Sequence, residues 1–137
     1  MNAEPFKAWH LAAMDPQHLR AGADAATLEW GEILAANGPA ITYRIDSRVV
    51  FCFGIIYAGA AGAWVWSYLD GRTGRNVVRF YRAGLRLIRA HVGRLWASTE
   101  IDFPAGARCL EMMGFERRGL VSDRFPDETE AWLYAIG

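Results

Sequence analysis

The segment Asp70-Gly-Arg-Thr-Gly-Arg-Asn76 combines residue types and spacings that could do chemistry. Two glycines free the backbone to turn, so that successive amides can converge, and Arg72 and Arg75 add positive charge. The helix that follows this segment would contribute the positive end of its dipole. Such a cradle suits a diphosphate. The same residues also fit a plain tight turn at Asp70-Gly71 with solvated arginines. A second segment, Ala107-Arg-Cys-Leu-Glu-Met-Met-Gly-Phe115, reads as an amphipathic helix stopped by Gly114 and followed at once by a strand. Cys52 and Cys109 stand in apolar surroundings without CxxC spacing, and His10, His18 and His91 lie far apart. Neither set has the spacing of a metal centre or a catalytic triad, so both thiols are expected to be reduced packing residues.

The elements that position these segments follow from periodicity. Alternation at Phe6 to Leu11 predicts a short first strand, and Asp15-Pro16 predicts a helix start ending near Gly22. A second helix is expected from Asp24 to Asn37, closed by Asn37-Gly38-Pro39. From Ile41 the period becomes two, and Asp46-Ser47 turns the chain into Arg48 to Tyr57, with Ala63 to Leu69 completing an antiparallel meander. The middle strand should be buried on both faces. A wide apolar stripe including Val77, Phe80, Tyr81, Leu85, Ile88 and Val92 marks the longest helix, ending near Gly93. Leu95 to Thr99 is a strand, Ala105 to Met113 a helix, and Phe115 to Val121 and Glu130 to Ile136 are the closing strands. The order is ααβββαβαββ, preceded by the short first strand: an α/β chain built as an α+β sandwich on a mixed sheet.

Composition agrees with one packed unit. The 137 residues include six Trp, five Tyr and seven Phe, and suit a single domain spanning 1–137. Basic and acidic side chains balance at 15 each, which gives no overall field to attract nucleic acid or an anionic membrane. Arg75, Arg79, Arg82, Arg86 and Arg89 fall at spacings of three and four, the pattern of a solvated helix face, and the same stripe could lie against an acidic protein or nucleic acid. The apolar run Val49 to Leu69 is broken by glycines and reads as two strands rather than a membrane span. The amino terminus lacks the pattern of a signal peptide, so a cytoplasmic setting is expected.

This order, with a glycine-rich turn between a meander and a long helix, then strand, helix, Gly-Phe and strand, resembles the Gcn5-related N-acetyltransferase (GNAT) superfamily. The resemblance implies a mixed, mostly antiparallel sheet of six to seven strands flanked by about four helices. It also implies acetyl-coenzyme A (acetyl-CoA) as cofactor. In that family a Gln/Arg-x-x-Gly-x-Gly/Ala turn holds the pyrophosphate, and here Gly71, Gly74 and Asn76 stand at the matching positions, with only the central glycine agreeing. By this resemblance the cofactor-binding residues are Trp66, Tyr68, Leu69, Gly71, Arg72, Thr73, Gly74, Arg75 and Asn76. In the family signature Asn-x-x-Ala-x-x-Leu-Tyr-x-x-x-Gly-Phe the tyrosine often protonates the departing thiolate. Gly114-Phe115 matches it, whereas Phe103, Gly106, Cys109 and Leu110 replace the Asn, Ala, Leu and Tyr.

The implied reaction is direct transfer of acetyl to an amine, small molecule or protein, without a covalent enzyme intermediate. The amine must lose a proton, and Asp70, Glu100 and Asp102 are the carboxylates at the ends of the relevant strands. Ser67 and Tyr68 are also near, and strand alternation allows only one of them to face the cleft. Within the superfamily the chain looks most like small bacteriophage-encoded GNAT-like proteins, through Ala63-Trp-Val-Trp-Ser67, the arginine-studded helix and the Met-Gly-Phe ending. That kinship implies the alternative of an inactive module with a degenerate active site. Such a module would act in a virion or bind a phage or host protein.

Overall fold

The structure is a computed structural model and describes residues 3–19, 26–73, 76–101, 103–121 and 130–137. In chain order the elements are β1 (Glu4–Pro5), α1 (Ala8–Ala12), α2 (Leu28–Ala36), β2 (Ala40–Ile45), β3 (Arg48–Tyr57) and β4 (Ala63–Leu69). They continue with α3 (Asn76–Ala90), β5 (Leu95–Glu100), α4 (Pro104–Met112), β6 (Glu116–Val121) and β7 (Ala131–Ile136). The strands form one open seven-stranded sheet in the order β1-β2-β3-β4-β5-β7-β6. All neighbours are antiparallel except β4 and β5. Among the described residues no helix is long and apolar enough to cross a membrane.

Both faces of the sheet are covered, which explains why β3 carries an almost unbroken apolar run. Phe51, Phe53 and Ile55 join the core under α3 and α4, while Cys52 joins the core under α1 and α2. A bulge sits where the register passes from Tyr43↔Phe51 to Arg44↔Val49. The extra residue, Val50, shares the face of Phe51, and Val49 falls on the opposite one. The inserted residue thus lets the adjacent Val50 and Phe51 bury on the same side, where regular alternation would place them on opposite faces.

The Gly114 stop forms as its sequence predicts. Phe115 N–H donates to the Leu110 carbonyl (3.0 Å) and Gly114 N–H to that of Glu111 (3.0 Å), with Gly114 at φ 98°. This is the Schellman arrangement, and Leu110 and Phe115 are buried in the same core cluster. Thr27 caps α2 by accepting from Trp30 N–H at 3.1 Å, so the observed helix starts later than Asp24.

Two expectations near the amino terminus change. Phe6 to Leu11 is not a strand: α1 occupies Ala8–Ala12, because the His10 ring accepts the Lys7 amide hydrogen at Nδ1 (3.0 Å) and closes a helical turn. Nor do residues 15–19 form the helix expected from Asp15. The Asp15 carboxylate and carbonyl take the amides of Gln17 and His18, and the Leu19 backbone pairs with Asp70 instead. The rest of that expected helix falls outside the described residues.

His10 has a measurable consequence. Its ring is fully buried, with Thr42 Oγ1 2.8 Å from Nδ1 and Glu4 Oε1 3.1 Å from Nε2. Arg44 bridges the group, 3.1 Å from Glu4 Oε2 and 3.2 Å from His10 Nε2. Burial depresses the His10 pKa; Glu4 opposes this, and Arg44 and Lys7 add to it. The unfolded chain therefore takes up the proton first, below about pH 6.5, and stability present above that value falls as pH drops through it. Glu4, whose pKa is lowered chiefly by its hydrogen bond to Arg44, loses its contribution at still lower pH. Circular-dichroism melts should show unfolding temperature falling between about pH 7 and about pH 5.5, with a shallower slope in His10→Asn. Identical slopes in the two proteins would contradict the assignment.

Candidate active site

β4 and β5 are joined by only two pairs, Ala63↔Leu95 and Trp64↔Trp96. Beyond them β4 stays with β3 as far as Leu69, while β5 turns to β7 as far as Glu100. The strands therefore splay, and an opening forms in the sheet. Over it lies a cleft of about 150 Å³, lined from the end of β4 and the following turn by Leu69, Gly71 and Thr73. From α3 come Val77 and Tyr81, and from the start of α4 come Phe103, Ala105, Gly106 and Cys109. The lining is mostly apolar, suited to a flexible chain with few charges.

Gly106 lets α4 approach β5. A Cβ there would lie within 2.8 Å of the Phe103 ring and closer still to Thr99 Oγ1. This contact also fixes the facing of β5: Leu95, Ala97 and Thr99 point towards α3 and α4, so Glu100 points to the other side of the sheet. In β4, Ser67 faces Tyr81, with 3.4 Å between the hydroxyl oxygens. Tyr68 is buried on the opposite face, where its hydroxyl accepts from Trp30 Nε1 at 3.1 Å. Trp66 lies on that face too, edge-on to Phe6 at 5.1 Å, with its Nε1 buried and without a hydrogen-bond partner among the described residues. Of the strand residues expected to hold a cofactor, Leu69 lines the cleft directly.

The turn after β4 is closed upon itself. Arg72 donates to Asp70 through Nε (3.0 Å), Nη2 (2.6 Å) and its own amide (2.8 Å). Gly71 N–H goes to the His18 carbonyl (2.6 Å), and Thr73 N–H to that of Asp70 (3.2 Å). The amides of residues 71–73 are thus committed inside the protein. An anion arriving here would meet the start of α3 at Asn76; Gly74 and Arg75 lie outside the described residues. Asp70 is fully buried, and the Arg72 guanidinium holds its carboxyl below the usual carboxylate range against the opposing effect of burial. That lowered basicity suits an anchor for the turn better than a proton acceptor. Glu100 is half-buried at the end of β5, and Asp102 lies outside the described residues.

Tyr81 was legible only as part of an apolar stripe. Its ring packs edge-on against Phe51 (5.3 Å) and Phe53 (6.1 Å), which leaves the hydroxyl at the splay. Burial pushes its pKa up to about 12; the Ser67 hydrogen bond opposes this, and nearby Cys109 and Glu100 add to it. The sequence signal for this placement is a polar tip at the edge of a buried helical stripe, four residues after Val77. Cys109, expected to be a packing residue, is half-buried and borders the same cleft, its pKa raised chiefly by burial. Leu110, one residue on, is buried in the core. On the solvent side of α3, Arg79, Arg82, Arg86 and Arg89 are exposed.

No protein-family model and no curated protein matches the chain in sequence. Solved structures do match it in shape. A GNAT-family acetyltransferase from Streptococcus pneumoniae superposes with a TM-score of 0.72 at 11% identity, over 98% of both chains. The ribosomal-protein-S18-alanine N-acetyltransferase of Escherichia coli gives 0.71 at 13%, over 98% of this chain and 92% of that one. A GNAT-superfamily phosphinothricin acetyltransferase from Sinorhizobium meliloti, solved in complex with acetyl-CoA, gives 0.66 at 11%, over 98% and 86%. Agreement along almost the whole length, with so few shared residues, is agreement in architecture, and the chain has the GNAT acetyltransferase fold.

Proposed function

We propose that this protein is an acetyl-CoA-dependent N-acetyltransferase acting on a small-molecule or protein amine. The observation that carries the reading is the β4/β5 splay, an apolar cleft between α3 and α4 in a sheet whose architecture it shares with acetyltransferases. The fit to acetyl-CoA rests on that cleft. Leu69, Val77, Phe103 and Cys109 offer an apolar wall to the pantetheine arm, and the start of α3 offers a positive helix end to the diphosphate. Once bound, acetyl-CoA would supply an activated thioester.

The chain's own residues would do the rest. The α3/α4 face of the splay, with Tyr81 and the apolar cleft, would hold the cofactor, and the opposite face, towards which Glu100 points, would be left to the acceptor amine. In the transfer the amine nitrogen forms a bond to the acetyl carbon, the carbon–sulfur bond breaks, and the amine proton is lost. Glu100 points to the acceptor face, so it takes that proton directly or through water, with Asp102 beside it in sequence. Asp70, locked to Arg72, holds the turn that leads into α3. We read residues 1–137 as one domain working in the cytoplasm.

The competing reading is a non-catalytic module of the same fold, in a phage particle or bound to a host protein. Core burial of Leu110 at the family's tyrosine position and the closed Asp70–Thr73 turn favour it. Thiol release from acetyl-CoA across a panel of amines separates the two. The transferase reading expects amine-dependent release of free thiol and an acetylated product by mass spectrometry. Absence of release with every amine, together with absence of acetyl-CoA binding, would overturn it.

A further inference from the structure

Resting on the transferase reading, the geometry points to a sulfur-binding role: we propose that the Tyr81 hydroxyl donates a hydrogen bond to the departing thiolate, keeping its own proton throughout. A thioester broken by an amine leaves its electron pair on sulfur, and a donor already fixed in place stabilises that charge as it develops. Among the described residues lining the cleft, only Thr73, Tyr81 and Cys109 carry a side-chain hydrogen that can be donated. Thr73 is buried at the turn, at the diphosphate end of the cleft. Cys109 offers only a weak sulfur donor. Tyr81 stands on the second turn of α3, its ring fixed by Phe51 and Phe53 and its hydroxyl 3.4 Å from Ser67 Oγ, three residues past the last β4–β5 pair.

The phenol works as a donor rather than an acid. Its burial keeps it protonated to about pH 12, above the ordinary thiol value of about 8.5, so complete transfer of its proton to the thiolate would run uphill. The electron balance closes without it. The nitrogen–carbon bond forms, the carbon–sulfur pair stays on sulfur as thiolate beside the Tyr81 O–H, and the amine proton leaves towards Glu100 or water. The free thiolate then takes a proton from solvent after release.

The test needs no acceptor amine. Calorimetric titrations with CoA and with desulfo-CoA, at about pH 7 and about pH 10, compare the thiol with the thiolate form. In the unaltered protein, preference for CoA over desulfo-CoA should grow by about 10-fold on going to the higher pH, as a charge-assisted hydrogen bond forms to sulfur. Tyr81→Phe keeps the ring and should lose that gain while binding desulfo-CoA within about 3-fold of the unaltered protein. Retention of the pH-dependent preference in Tyr81→Phe would overturn the assignment while leaving the transferase reading in place. Failure of the unaltered protein to bind either compound would overturn both.

Discussion

Substituting Cys109 by Phe is expected to weaken acetyl-CoA binding by about 100-fold or more, equivalent to about 2.8 kcal/mol, and to leave the fold intact. Cys109 lies at the middle of α4, half-buried, across the cleft from Val77 and Tyr81. A phenyl ring at that position extends into an opening of only about 150 Å³ and fills the route that the pantetheine arm would take. Overpacking a closed core costs about 1–3 kcal/mol, but here the added volume has a void to enter. The unfolding temperature should therefore move by less than about 5 °C. Titration calorimetry on both proteins checks the first part, and a thermal melt the second. Equal affinity would mean that acetyl-CoA does not pass between α3 and α4.

The second large effect lies on the other face of the sheet. At Gly31, α2 touches the backbone of α1: a Cβ would sit 3.1 Å from the Ala8 carbonyl carbon, 3.2 Å from its Cα, and nearer still to its oxygen. Backbone cannot rotate away as a side chain can, so Gly31→Ala forces the two helices apart over Leu11, Met14 and Leu34. Alanine gains about 1 kcal/mol of helix propensity, and overpacking of this severity costs about 3 kcal/mol. The clash wins by about 2 kcal/mol, which lowers the unfolding temperature by roughly 8 °C in a domain of this size. A melt at or above that of the unaltered protein would show that the α1–α2 contact is looser than described.

Gly31 also shows where sequence reading stops. Its position inside a predicted helix was visible, but the partner that requires a glycine is α1, and α1 was read as a strand. Alternation across Phe6 to Leu11 satisfied the period-two rule, whereas the deciding interaction is the His10 ring on the Lys7 amide. Period alone does not register a side chain that caps its own backbone. Elsewhere local signals sufficed. Met113-Gly-Phe115 closed a helix as read, Asp46-Ser47 turned the hairpin, and β3 was buried on both faces because both neighbouring layers cover it.

The site was legible in outline. The glycine-punctuated turn, the strand ending at Leu69 and the helix before Gly114 do surround one cleft. What the sequence did not reveal was long-range. Asp70 is a candidate base by position alone; its pairing with Arg72 is local, but the capture of Gly71 N–H by His18 depends on a segment about fifty residues earlier, brought alongside by the Leu19–Asp70 bridge. Tyr81 was hidden in a stripe of apolar residues, because periodicity reports which face is buried and not what its polar tips reach. Leu110 stands where the resembled signature has its tyrosine. It packs with Phe115 in the core, and the hydroxyl at the splay comes from α3.

The central claim is that the splay between β4 and β5 receives acetyl-CoA, and calorimetric titration of the unaltered protein tests it most directly. One saturable site per chain is expected, with a dissociation constant at or below about 0.1 mM, within the range of working substrate concentrations for enzymes. No heat of binding at about 1 mM acetyl-CoA, a ligand level that reveals interactions as weak as about −4 kcal/mol, would contradict the account.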